Sequence, residues 1–204
     1  MTFKPLLLAA ALTTAAALPA LGLAQASDPA AAQIEAFDNA LLDTMKQAKS
    51  LGVQGRFRQL EPAVGHAFDL PTMTRFAVGP KWATASPQDQ AALTRAFTRL
   101  TVATYAHNFD SFGGEKFAVD PKVDSRGPDK LVRTHLVSPH DKPVDLTYRM
   151  RQASDGRWKI IDVYYNGSIS ELAARRSDFA STVNAGGPAA LVQKIDALAD
   201  KQMK

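Results

Sequence analysis

The hydrophobic period of this chain changes at Gly113-Gly114 and changes back near Asn166-Gly167. Before the first glycine pair, apolar residues recur every three or four positions. Between the two breaks they alternate, and afterwards the helical spacing returns. A chain written this way must fold as helices, then a run of strands, then helices. Helices segregated against one sheet define the α+β class.

The first helical stretch opens at Asp28-Pro29, a capping residue followed by a proline suited to a first turn. Ile34, Phe37, Leu41, Met45 and Ala48 form one apolar stripe along it, and Gly52 with Gly55 is expected to end it. A shorter helix is expected over residues 56–68, disturbed by Pro62. Another starts at Asp69-Leu70-Pro71 and closes at Gly79-Pro80. Ser86-Pro87-Gln88-Asp89 reads as a capping box. The helix after it carries two apolar rows, Leu93, Phe97, Leu100 and Thr104, and Val102, Tyr105, Phe109 and Phe112. So wide a face needs a large surface to cover it.

Four strands are expected over residues 116–123, 130–137, 144–151 and 157–165, separated by turn sequences such as Arg126-Gly127-Pro128-Asp129 and Ser154-Asp155-Gly156. Short connections imply antiparallel pairing. The last strand is apolar on both faces and is expected to be central. Ser168-Ile169-Ser170-Glu171 suggests a second capping box, with a helix through Val183, a break at residues 185–188 and a terminal helix using Leu191, Ile195 and Leu198. The expected architecture is a curved, four-stranded antiparallel sheet wrapped by about six helices, a cone of the NTF2-like kind. Its interior is either filled by side chains or left open for a ligand.

The N-terminus reads as a secretory signal peptide. Lys4 precedes an apolar run over residues 5–18, and Ala24-Gln25-Ala26 fits a cleavage site. The run is shorter than the ~20 residues of a membrane span. Residues 27–204 are then expected to form a single domain. The chain has no cysteine, which removes thiol chemistry and disulfide stapling. Its formal net charge of +4 is spread through mixed surroundings without a basic run, which argues against nucleic acid as a partner.

Motifs for chemistry are sparse. None of the four histidines, His66, His107, His135 and His140, pairs with another at metal-ligand spacing, so no metal site is expected. No nucleophile elbow, phosphate loop or dinucleotide fingerprint is present. Asp162, inside an apolar strand, reads more readily as a carboxylate paired with Arg175 or Arg176 than as a general base. Arg149 and Arg151, with Lys142 in the preceding turn, are candidates to meet an anionic headgroup. Phe76, Tyr105, Phe109, Phe112, Leu146, Tyr148, Ile161, Val163 and Tyr165 read as one apolar interior, with Ile169 and Leu172 beside it. Period and composition do not distinguish a closed core from an oily cavity.

The order of several short sequences resembles the MlaC and toluene-tolerance family of periplasmic lipid-binding proteins. They are Phe68-Asp69 with Met73-Thr74-Arg75, Trp82, Ser86-Pro87-Gln88-Asp89-Gln90, Phe97, Tyr105, Trp158-Lys159-Ile160-Ile161-Asp162-Val163, Gly167-Ser168-Ile169-Ser170, Arg176, Phe179 and Gly186-Gly187. The resemblance runs over about residues 36–199. Residues 165–172 with 175–179 are more similar to its hopanoid-biosynthesis-associated (HpnM-like) branch. The family resemblance implies a periplasmic carrier, not an enzyme, with phospholipid acyl chains as cargo and no cofactor. It implies traffic between an outer-membrane lipoprotein complex and an inner-membrane transporter with an MCE-type subunit. The hopanoid branch implies a triterpenoid and a large exporter instead. A monomer is expected. Two other readings stand beside it. One is an isomerase or cyclase using Asp162 with Tyr148 or His135. The other is an adaptor with a filled core.

Overall fold

The computed structural model describes residues 28–204, so the expected leader, residues 1–26, lies outside the described residues. The order of elements is α1 (Pro29–Lys46), α2 (Ala48–Ala67), α3 (Leu70–Val78), a 3-10 turn (Gly79–Thr84), α4 (Pro87–Asn108), β1 (Lys116–Val119), β2 (Asp124–Arg126), β3 (Asp129–Val137), β4 (Val144–Gln152), β5 (Trp158–Tyr165), β6 (Ile169–Ser170) and α5 (Glu171–Gln202). No described helix is long and apolar enough to cross a membrane.

Local chemistry accounts for the helix starts. The Asp28 carboxylate accepts a hydrogen bond from the Ala30 amide at 2.8 Å and binds Lys130 Nζ from β3. Ser86 caps α4 by accepting from the Asp89 amide at 3.1 Å, and it donates its own hydroxyl to the Asp89 carboxylate at 2.8 Å in place of the backbone return bond of a full capping box. Ser170, rather than Ser168, caps α5 by accepting from the Ala173 amide. The glycines behave differently from expectation. The first helix ends at Lys46, before either glycine. Gly52 instead bends α2 with a φ of 58°, and Gly55 stays helical inside it. In α5, Gly187 adopts a φ of 71° just before Pro188 and breaks the helix where the sequence places the break.

The sheet is antiparallel and curved, in the order β1-β3-β4-β5-β6, with β2 also on β3. Six strands replace the four expected. The expected first strand is cut short to β1, and β2, Asp124–Arg126, lies beyond its expected end at residue 123. The Asp120 amide makes the last bond, to the Arg133 carbonyl, and β2 resumes on the other half of β3. The sixth strand is the two-residue β6, paired with Tyr164 and Tyr165. A bulge in β5 shifts the register between Arg149↔Asp162 and Met150↔Ile160.

Val132 and Thr134 of β3 share a sheet face with Leu146, Tyr148 and Met150 of β4. The helices cover this face. Ile34, Phe37 and Leu41 of α1, Leu60 and Val64 of α2, Leu93, Phe97 and Leu100 of α4, and Phe179, Leu191 and Ile195 of α5 are buried in one apolar cluster with Val132, Tyr148 and Met150.

Candidate functional site

The wide face of α4 is only partly covered by protein. Between it and the concave side of the sheet lies a cavity of about 600 Å³. Phe97, Leu100, Thr101, Thr104 and Tyr105 of α4 form one wall. Leu136, Val144, Leu146, Val163 and Tyr165 from β3, β4 and β5 form the other. Met45, Phe68 and Met73, all buried, also line it. The two threonines do not make the wall polar. Thr101 donates its hydroxyl to the Phe97 carbonyl at 2.9 Å, and Thr104 donates to the Leu100 carbonyl at 2.8 Å. Each hydroxyl is satisfied within its own helix.

The polar lining comes from the loops and element ends. Asn108 ends α4 and Ser111 and Glu115 follow it, Ser138, Asp141 and Lys142 come from the β3–β4 turn, and Glu171 and Arg175 come from the first turns of α5. The site is therefore an oily pocket bordered by charges of both signs. Aromatic rings brace it. Phe37 meets Phe68 and Tyr105 edge-on at 5.2 and 5.3 Å, and Phe109 extends the row to Phe117 at 6.3 Å.

Of the candidates read from the sequence, Tyr105, Phe109, Leu146, Val163, Tyr165 and Leu172 line this cavity, with Lys142 among the charged residues. The others lie elsewhere. Tyr148 is fully buried in the core behind the cavity wall. Ile161 is the extra residue of the β5 bulge, buried but away from the main apolar cluster. Phe76 packs at the edge of that cluster with the Arg75 guanidinium 5.1 Å from its ring. Phe112 and Ile169 are exposed, at 43% and 56%.

Arg149 and Arg151 need correcting as headgroup residues. Period two places them on the sheet face opposite Leu146 and Tyr148. There, Arg149 Nε lies 2.6 Å from Asp129 Oδ2, and Arg151 Nε lies 2.6 Å from Asp129 Oδ1. Burial tends to raise the Asp129 pKa, but the bonds from Arg151 and Arg149 prevail and hold it below the usual carboxylate range.

Asp162 also departs from both of its readings. It pairs with neither Arg175 nor Arg176. Its carboxylate accepts from Ser170 Oγ at 2.7 Å, from the Leu172 amide at 3.2 Å and from the Val163 amide at 2.9 Å. It ties the start of α5 to β5. The acid–base set imagined for an isomerase does not converge. Tyr148 is on the helix-covered face, whereas Asp162 and His135 are on the other, and His135 Nδ1 lies 2.7 Å from Asp145 Oδ1. No group of metal-binding side chains occurs among the described residues.

One feature escaped the sequence reading. Asp38 sits in the α1 stripe, four residues after Ile34 and three before Leu41, and is 2% exposed. Burial, with some help from Glu35, pushes its pKa up to about 8. A carboxylate at a core position of an amphipathic stripe is a visible signal.

Comparison with known proteins agrees with this geometry. A solved structure of a phospholipid-binding protein from Ralstonia solanacearum, in complex with a phospholipid, superposes with a TM-score of 0.74 at 24% identity, covering 86% of this chain and 99% of that one. The curated proteins contain no match. The family model described as MlaC protein matches residues 35–197, which takes in both cavity walls and most of α5, and the chain belongs to the MlaC family.

Proposed function

We propose that this protein is a periplasmic lipid carrier that shelters the acyl chains of a phospholipid in the cavity between α4 and the sheet and shuttles it between inner and outer membranes. The observation that carries the proposal is the cavity itself, about 600 Å³ with an apolar wall on each side. It falls within the ~300–1,000 Å³ typical of ligand pockets, and it argues against an adaptor with a filled core. The phospholipid in the Ralstonia structure of the same fold supports the choice of cargo.

The physical need for such a pocket is large. Hydrocarbon exposed to water costs about 0.8 kcal/mol per CH₂. Two tails of roughly 15 methylenes therefore cost on the order of 24 kcal/mol. An interior as apolar as the bilayer removes that barrier without holding the lipid more tightly than a membrane does. Near-equal partition keeps loading and unloading feasible, and partner complexes in the two membranes set the direction. Lys142 and Arg175 border the cavity, and their positive charge supports the reading that a phosphate headgroup is met there while it stays wet.

The test is organic extraction of the purified protein followed by mass spectrometry, with uptake of a labelled phospholipid as a second measurement. Stoichiometric phospholipid supports the reading, and a triterpenoid in its place would assign the cargo to the hopanoid alternative. No bound lipid together with no uptake would overturn the carrier role.

A further inference from the structure

The sheet face turned away from the apolar cluster carries a second hollow, of about 260 Å³, lined by Arg126, Leu131, Thr147, Arg149, Tyr164 and Gly167. It shares no lining residue with the cavity between α4 and the sheet. The pairing register brings its walls together. Leu131 of β3 is paired with Arg149 of β4, Thr147 is paired with Tyr164 of β5, and Arg126 of β2 is the diagonal neighbour of Leu131. Leu131 is only 9% exposed although it stands outside the main apolar cluster. It is the floor that the longer side chains around it enclose.

These walls hold more positive charge than the nearby carboxylates use. Asp129 is bound by Arg149 and Arg151, and Asp124 by Arg133 with Lys122 3.8 Å away. Asp162, opposite Arg149 on β5, is occupied by Ser170 and by backbone amides. The Arg126 guanidinium enters no ion pair among the described residues, although Asp129 stands opposite it in the β2–β3 ladder. Arg149 turns its Nε and Nη2 to Asp129, so its Nη1 is left without a partner among the described residues. No described carboxylate lines the hollow itself.

We propose that this hollow is a binding site for a phosphate group, separate from the cargo cavity and on the opposite side of the sheet. Two guanidinium groups without an acid in the lining select an anion. Thr147 and Tyr164 each add a hydroxyl that can donate. Four donor groups around one floor match the several oxygens of a tetrahedral phosphate, whereas a planar carboxylate has two oxygens and one guanidinium fork satisfies both. The group is either a free phosphate or the headgroup of a lipid in a bilayer surface. The site does not depend on the carrier reading, because none of its residues reaches the cavity.

The experiment is calorimetric titration of the purified protein with inorganic phosphate, and with acetate at the same ionic strength. Phosphate should bind more tightly than acetate. Arg126→Gln should weaken phosphate binding by about tenfold, the worth of one charge-assisted hydrogen bond at a partly wet site, and Tyr164→Phe by about threefold. Arg126 makes no ion pair in the fold, so the melting temperature of Arg126→Gln should match the wild type. Sedimentation with phosphatidylcholine vesicles containing phosphatidic acid identifies the source. A headgroup source predicts that Arg126→Gln lowers sedimentation as well, and a free phosphate predicts equal sedimentation of both proteins. Absence of phosphate binding, acetate bound as tightly as phosphate, or an affinity untouched by Arg126→Gln would overturn the site. Uptake of labelled phospholipid should be the same in Arg126→Gln as in the wild type, and its failure in both would bear on the carrier reading alone.

Discussion

Phe109 lies flat against Tyr105, with ring centroids 5.7 Å apart and planes within 9° of parallel, where the last turn of α4 gives way to the loop. The pair continues the aromatic row started by Phe37 and Phe68 and gives the cavity a stiff side. Facing it, the sheet contributes smaller aliphatic groups, Leu146 and Val163. The open volume depends on that contrast, since rings hold the wall in place while short side chains leave the space.

Filling the space should therefore abolish binding without unfolding the protein. Leu146→Trp adds an indole to the cavity side of β4, where room exists. Lipid uptake should fall by more than tenfold, while thermal unfolding shifts by only a few degrees, because the added ring occupies a void rather than overpacking a closed core. Uptake of labelled phospholipid and a melting curve on the same sample check both halves.

Asp162 should matter for stability and not for turnover of any ligand. Asp162→Ala leaves the Leu172 amide and the Ser170 hydroxyl without their acceptor at the start of α5. The expected cost is about 1–3 kcal/mol, read as a lower denaturant midpoint. Asp162→Asn keeps one acceptor oxygen and should recover part of the loss. Bound lipid per folded protein should be the same in both variants.

The Asp129 cluster on the opposite sheet face makes a separate prediction. Replacing Arg149 and Arg151 together by Met strands a carboxylate that is 1% exposed. Both arginines are partly solvated, so the loss should be about 1–3 kcal/mol, below that of a fully buried pair. Lipid affinity should be unchanged, because neither side chain reaches the cavity. In the wild type, the depressed Asp129 pKa means its contribution is present above the ordinary carboxylate range and is lost as acid protonates the folded state.

Asp38 gives the opposite pH dependence. Its pKa rises on folding from 3.8 to about 8. Between those values the folded state holds a proton that the unfolded chain has released, so stability from this group falls as pH rises. The loss is complete once pH exceeds about 8 and is on the order of 5 kcal/mol at most. Asp38→Asn removes the titration. Denaturation at acid pH should find the variant and the wild type similar, and at pH 8 the variant should be more stable. Parallel curves across that range would show that Asp38 is not held neutral.

Much of this architecture could be read directly from residue order. Ser86 and Asp89 satisfy each other across one turn, so the start of α4 depends only on neighbours in sequence. The alternation of Val144, Leu146, Tyr148 and Met150 against Arg149 and Arg151 assigns faces in β4 for the same reason, since successive side chains point to opposite sides. That alternation already excluded the two arginines from the apolar side, and their role as a headgroup clamp failed on geometry visible in the sequence.

Other features required distant parts of the chain to meet. Whether Tyr105, Leu146 and Val163 close on one another or leave a space depends on how far α4 stands from the sheet, and Met45, Phe68 and Met73 from three other segments complete the lining between them. Asp162 found its partners at the start of α5 rather than in an arginine because the chain turns back at Asn166-Gly167. Phe37 met Tyr105 and Tyr148 only through the packing of α1 across the sheet. Hydrophobic pattern settles which side of each element turns inward, because that choice is made residue by residue. The emptiness of the interior is a property of all the inward sides together, and only their three-dimensional arrangement decides it.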